Sequence, residues 1–179
     1  MNQTTLATLL AAEEREAMLE HTTDHFLLPD HSPHGPDHWH RVRYNGLLIA
    51  AATGANPRVI ELFAFFHDSC RETDGWDITH GPRGAELALE VFARGDLPAS
   101  EAELDLLVTA CRGHTTERTH ADPTIASCWD ADRLDLPRVG ITVNPDYLCT
   151  QAARDPEVIA AAQERAITRA DLRDDEPGS

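Results

Sequence analysis

Apolar residues along this chain recur at intervals of three and four in segment after segment, and no alternating run extends beyond a few residues. That period predicts amphipathic helices and no sheet, so the expected class is all-α. Helices are expected over roughly 4–20, 37–53, 57–69, 80–94, 100–114, 123–136 and 145–170, the last broken near Asp155-Pro156. Ser100 followed by Glu103 has the form of a capping box, and Gly95 and Gly140 read as helix stops. Residues 21–36, rich in His, Pro and Asp, read as a loop, and residues 173–179 as a disordered tail.

Residues 59–68 are apolar almost all round, which predicts the central helix of a bundle. Histidines and aspartates interrupt the apolar faces, and helical geometry at about 100° per residue sorts them. His38 shares a face with Val42, Asn45 and Ile49, whereas His40 is turned away and is expected outside. His67 lies on the face of Ile60 and Phe63, and Asp68 ends the same buried run. His80 goes with Gly84, Leu87 and Val91, and His114 with Leu107, Ala110 and Cys111. Asp132 lies with Ile125, Trp129 and Leu136, while Asp130 faces another side. Buried carboxylates and imidazoles from several helices are costly without a common partner. Their N and O donors suit one or two divalent ions per chain, among Mn, Fe, Co, Ni, Zn and Mg.

Composition narrows the partners. Of 179 residues, 31 are acidic and 15 basic, a formal charge of −16 that repels nucleic acid and anionic membranes. All basic residues are Arg, which excludes Schiff-base and P-loop lysine chemistry. The four cysteines are dispersed, and an early acidic run (Glu13, Glu14, Glu16) replaces a basic leader, so a cytoplasmic protein with reduced thiols is expected. There is no GxSxG, GxGxxG or Walker A motif. The length suits a single domain.

His38-x-x-Arg41-Val42, His67-Asp68, and Asp132 within residues 130–135 occur in order on successive predicted helices. Together they resemble the HD-domain superfamily of metal-dependent phosphohydrolases. The resemblance covers residues 37–136, leaving 1–36 as an N-terminal helix and His/Pro-rich loop and 137–179 as a C-terminal helical extension. It implies a helical bundle in which His38, His67, Asp68 and Asp132 hold a divalent metal, the four residues that the facing argument selects. His80 and His114 resemble the additional ligands of two-metal members. Either they complete a binuclear site bridged by Asp68, or they bind substrate phosphate beside a single ion.

The implied activity is hydrolysis of a small phosphate ester such as a nucleotide by metal-activated water. Asp68, Arg71 and Arg133 are the expected catalytic residues, the arginines holding phosphate oxygens. Arg112 is a further clamp candidate, and Arg41 is assigned to a buried carboxylate. Trp39, Tyr44 and Tyr147 are candidates for base stacking or for the core. His31, His34 and His40 are read mostly as loop residues. The HD pair is followed by Ser69-Cys70-Arg71, so the HDxGK lysine of the cyclic-dinucleotide members and of the HD-type di-iron oxygenases is missing, as is a GYP after His114. A di-iron oxygenase and a non-catalytic metal or ligand-binding module stay open as alternatives. Oligomeric state is left open.

Overall fold

The computed structural model describes residues 8–173 and 175–177, and among these it is all-helical, without strands. Seven α-helices run in the order α1 (Ala12–Asp24), α2 (Pro36–Thr53), α3 (Pro57–Phe66), α4 (His80–Ala93), α5 (Glu101–Gly113), α6 (Pro123–Arg133) and α7 (Pro156–Thr168). Short 3-10 turns lie at Leu136–Val139 and Pro145–Tyr147. Proline opens α2, α3, α6 and α7, where its missing N–H would have had no helical partner. Asn56, Asp122 and Asp155 accept first-turn N–H groups, and the Ser100/Glu103 box opens α5.

Helix α3 is the central element. Ile60, Leu62, Phe63, Phe65 and Phe66 are fully buried, packed by the helices around them. Each such side chain stabilises the fold by about 1.5–3 kcal/mol relative to exposure. Two glycines let α4 approach closely enough to bring His80 into the centre. A Cβ at Gly84 would stand 2.2 Å from the Phe66 carbonyl oxygen, and one at Gly81 2.3 Å from that of Cys111. The N-terminus of α4 is thereby wedged between the ends of α3 and α5, which carry His67 and His114.

Several boundaries differ from the expectation. The first helix begins at Ala12, where the Ala11 N–H donates to Glu14 Oε2 at 2.8 Å, and it runs on to Asp24 into the expected loop. Its expected start, residues 4–7, lies outside the described residues. The last segment is helical only from Pro156; before it, Asp130 accepts the N–H groups of Cys149 (2.6 Å) and Thr150 (2.7 Å), an arrangement no helix through 149–150 would allow. The tail is held where it was expected to be loose. Arg43 donates to the Asp175 carbonyl at 3.0 Å and Arg15 to Glu176 at 3.0 Å; Asp174, Gly178 and Ser179 lie outside the described residues.

That tail explains a second correction. His40, expected outside, is 4% exposed and lies edge-on to Phe65, because α2 is covered on the side facing the C-terminal segment as well as on the core side. Both its ring nitrogens lack a hydrogen-bond partner. The four cysteines are free thiols, and no helix among the described residues is long and apolar enough to cross a membrane.

Candidate metal centre

Two groups of ligand-type side chains meet at the centre of the bundle: His38, His67 and Asp132, and then Asp68, His80 and His114. They come from α2, the end of α3, α6, the start of α4 and the end of α5. Hydrogen bonds at the outer ring nitrogens fix which nitrogen faces inward. His67 Nδ1 lies 3.1 Å from the Phe63 carbonyl and 3.0 Å from that of Ala64, so it carries the proton. His38 Nδ1 donates to Asp135 Oδ2 at 2.7 Å. The two inner Nε2 atoms therefore face each other at 3.1 Å. Asp132 Oδ1 lies 3.4 Å from the first and 3.8 Å from the second.

Two ring nitrogens this close repel unless a proton or a cation lies between them. A proton is disfavoured at His67, because burial, against the pull of Asp68 and Asp132, lowers its pKa to about 3. Asp132 stays ionised: burial raises its pKa, but the His38 hydrogen bond and the nearby His67 bring it well below the usual carboxylate range. Two imidazole nitrogens and a carboxylate converging on one point fit a divalent cation.

The second group repeats the arrangement. His80 Nδ1 donates to the Asp77 carbonyl and His114 Nδ1 to that of Cys111, leaving Nε2 atoms 2.8 Å apart. Asp68 Oδ1 stands 3.0 Å from His80 Nε2 and 3.8 Å from His114 Nε2, and the Thr115 hydroxyl lies 3.2 Å from the former. For His114, burial lowers the pKa, but the Asp68 hydrogen bond and the charges of Asp132 and Asp68 raise it above its ordinary value. Asp68 joins the groups, since its other oxygen, Oδ2, lies 3.6 Å from His38 and 3.9 Å from His67. Burial raises the Asp68 pKa, but the surrounding histidines hold it well below the usual range.

A cavity of about 400 Å³ opens over this centre, lined by Asp68, His80, His114 and Asp132, and by Arg71, Arg118, Arg133 and Arg138. Arg71 NH1 lies 3.4 Å from Asp68 Oδ1 and 3.3 Å from each ring nitrogen of His80. Arg133 spends three N–H groups on the carbonyls of Arg118, Tyr147 and Glu117, at 2.6–2.7 Å, and so braces the outer wall. Tyr147 is half exposed on that wall, with the Arg118 guanidinium 4.8 Å from its ring centre. Arg112 instead pairs with Glu86 on the surface. Trp39 is buried with its Nε1 on the His34 carbonyl, and Tyr44 lies under Arg165.

Three residues join the centre that the sequence reading left aside. His34 lies with Nδ1 3.0 Å from Asp68 Oδ2. Asp135 receives His38 Nδ1 and also Arg41, at 2.8 and 3.1 Å. Arg138 is fixed by the Pro33 and Asp135 carbonyls and lies 4.0 Å from Asp68 Oδ2. Compared with protein-family models, curated proteins and solved structures, the chain matches none.

Proposed function

We propose that this chain is a metal-dependent phosphohydrolase of the HD type, acting on a small phosphate ester such as a nucleotide. The observation that carries the reading is the pair of inward Nε2 atoms of His38 and His67 at 3.1 Å, beside ionised Asp132 and beneath an arginine-lined cavity. His38, His67 and Asp132 would hold one ion, His80 and His114 a second, with Asp68 shared between them. Such an ion supplies Lewis acidity, lowering the pKa of water at the site toward neutrality and offsetting the charge of a phosphate. The chain's own contribution is to fix the ligands in one tautomer and to line the cavity with cations for the substrate's oxygens. Arg71 reaches the phosphate side directly, and Arg133 acts mainly by holding the wall. The family assignment rests on the order H, HD, D in the sequence together with this convergence.

The test is phosphate release from a panel of small phosphate esters, nucleotides included, by metal-loaded protein. Turnover and metal are both expected to be lost in folded His67→Gln and Asp68→Asn variants; unchanged turnover in either would overturn the reading. The two groups of two histidines and a carboxylate joined by Asp68 favour, as a second reading, a di-iron oxygenase. Oxygen consumption with bound iron would support it, and full activity with redox-inert Mg or Zn would exclude it. Tight phosphate binding without turnover under any metal would point to a non-catalytic module.

A further inference from the structure

The two ligand groups are chemically alike but electrostatically unequal. In the first group the nearest guanidinium is that of Arg138, 4.0 Å from Asp68 Oδ2, and among the described residues no arginine nitrogen lies within 4.0 Å of Asp132. In the second group, Arg71 NH1 lies 3.4 Å from Asp68 Oδ1 and at one distance, 3.3 Å, from both ring nitrogens of His80. Equal distances place this nitrogen over the imidazole rather than at the lone pair of Nε2. The charge therefore flanks the second position without filling it.

Arg71 is also pinned. Its Nε donates to the Thr73 carbonyl at 3.3 Å and its NH2 to that of Gly75 at 3.0 Å, so the loop after the HD pair holds the guanidinium in place. The residue is only 8% exposed, so solvent screens its charge weakly. Arg71 also lines the cavity, where an anion would meet it.

We propose that Arg71 makes the second metal position weaker than the first, and that an oxyanion bound in the cavity removes this handicap, so that phosphate and the second ion bind cooperatively. This rests on the metal-binding reading above. Like charges held close together repel, and an anion placed against both is attracted to each. By linkage, the ion must then raise phosphate affinity by the same factor by which phosphate raises the ion's. The first position, whose nearest guanidinium is the more distant Arg138, depends on phosphate less than the second.

Calorimetric titration of metal-free protein with Mn²⁺ alone, with and without inorganic phosphate, tests this in the wild type, Arg71→Gln and Arg71→Lys. In the wild type the second ion is expected to bind about tenfold or more weakly than the first, and phosphate to strengthen the second step more than the first. Arg71→Gln should tighten the second step by about the same factor and shrink the phosphate effect. Arg71→Lys, which keeps the charge, should stay close to the wild type. A normal first step with a second that is unchanged or weaker in Arg71→Gln overturns the proposal alone. So does a wild-type second step indifferent to phosphate, a measurement that needs no variant to fold. Absence of any bound ion in all three proteins overturns the metal reading itself and this inference with it.

Discussion

His38 donates its Nδ1 proton to Asp135 Oδ2 at 2.7 Å, and this one bond decides that Nε2 is the nitrogen turned toward Asp132 and His67. A carboxylate behind a ligating imidazole orients the ring and raises its basicity. Asp135 is itself fixed by Arg41 and fully buried. Its pKa is raised by burial but lowered further by His38, Arg41 and Arg138, so it stays ionised. Asp135→Asn is expected to weaken metal binding by about 10–100-fold while leaving every direct ligand in place. Metal titration of the folded variant checks this; unchanged affinity would remove Asp135 from the centre.

A buried charge pair should weigh more in stability than the exposed one attached to it. Arg43 and Glu61 are 1% and 0% exposed and bonded at 2.8 Å, and Glu61 also accepts the Leu10 N–H. Arg43→Met leaves Glu61 with less than its full complement of partners and should cost about 3–5 kcal/mol. Glu176→Gln, at a group 36% exposed, should cost about 1 kcal/mol or less. Denaturant unfolding of both variants compares the two, and equal losses would contradict the burial argument.

His40 gives the fold an acid-sensitive point outside the two candidate ligand groups. Burial, with the charges of Arg43 and Arg173, depresses its pKa from 6.5 to about 4. The unfolded chain therefore takes up the proton first on acidification. The stability due to neutral His40 is present above pH 6.5 and is lost as the pH falls toward 4, at most about 3 kcal/mol. His40→Phe replaces an imidazole whose ring nitrogens have no partner, so it should be neutral or stabilising at pH 7 and should flatten this part of the acid limb. Unfolding curves between pH 4 and 7 provide the measurement; an equally steep limb in the variant would contradict the assignment.

Arg133 separates wall from ligand. Since its N–H groups hold the carbonyls of residues 117, 118 and 147, Arg133→Met should leave metal content unchanged and raise KM for a phosphate ester more than it lowers kcat. Loss of metal in this variant would place it closer to the ions than the geometry does.

How much of this was legible beforehand depended on how local the signal was. The helical class and the inward facing of His38, His67, His80, His114 and Asp132 follow from a 3.6-residue period, which each segment carries within itself. The face of His40 was misread because the C-terminal segment beside α2, held by Arg43 at Asp175, is 132 residues away in the chain and has no periodicity of its own. Arg138 was passed over for a related reason, since it follows the end of α6, where a helical wheel no longer states direction; Asp135 lay inside the expected helix 123–136, but α6 ends at Arg133. His34 sits in a loop whose course is set by Pro33, Gly35 and Pro36 rather than by any period. Asp130 was legible as facing away from Asp132, but its role in capping the N–H groups of residues 149 and 150 was not.

Metal content per chain, by elemental analysis of protein purified without chelator, bears most directly on the central claim. Wild type is compared with His67→Gln and Asp132→Asn, each confirmed folded by circular dichroism. Bound divalent metal in the wild type, reduced by at least one ion in both variants, is the predicted result. Metal-free wild type after incubation with Mn, Fe, Co, Ni, Zn and Mg in turn, or the same metal content in all three proteins, would contradict it.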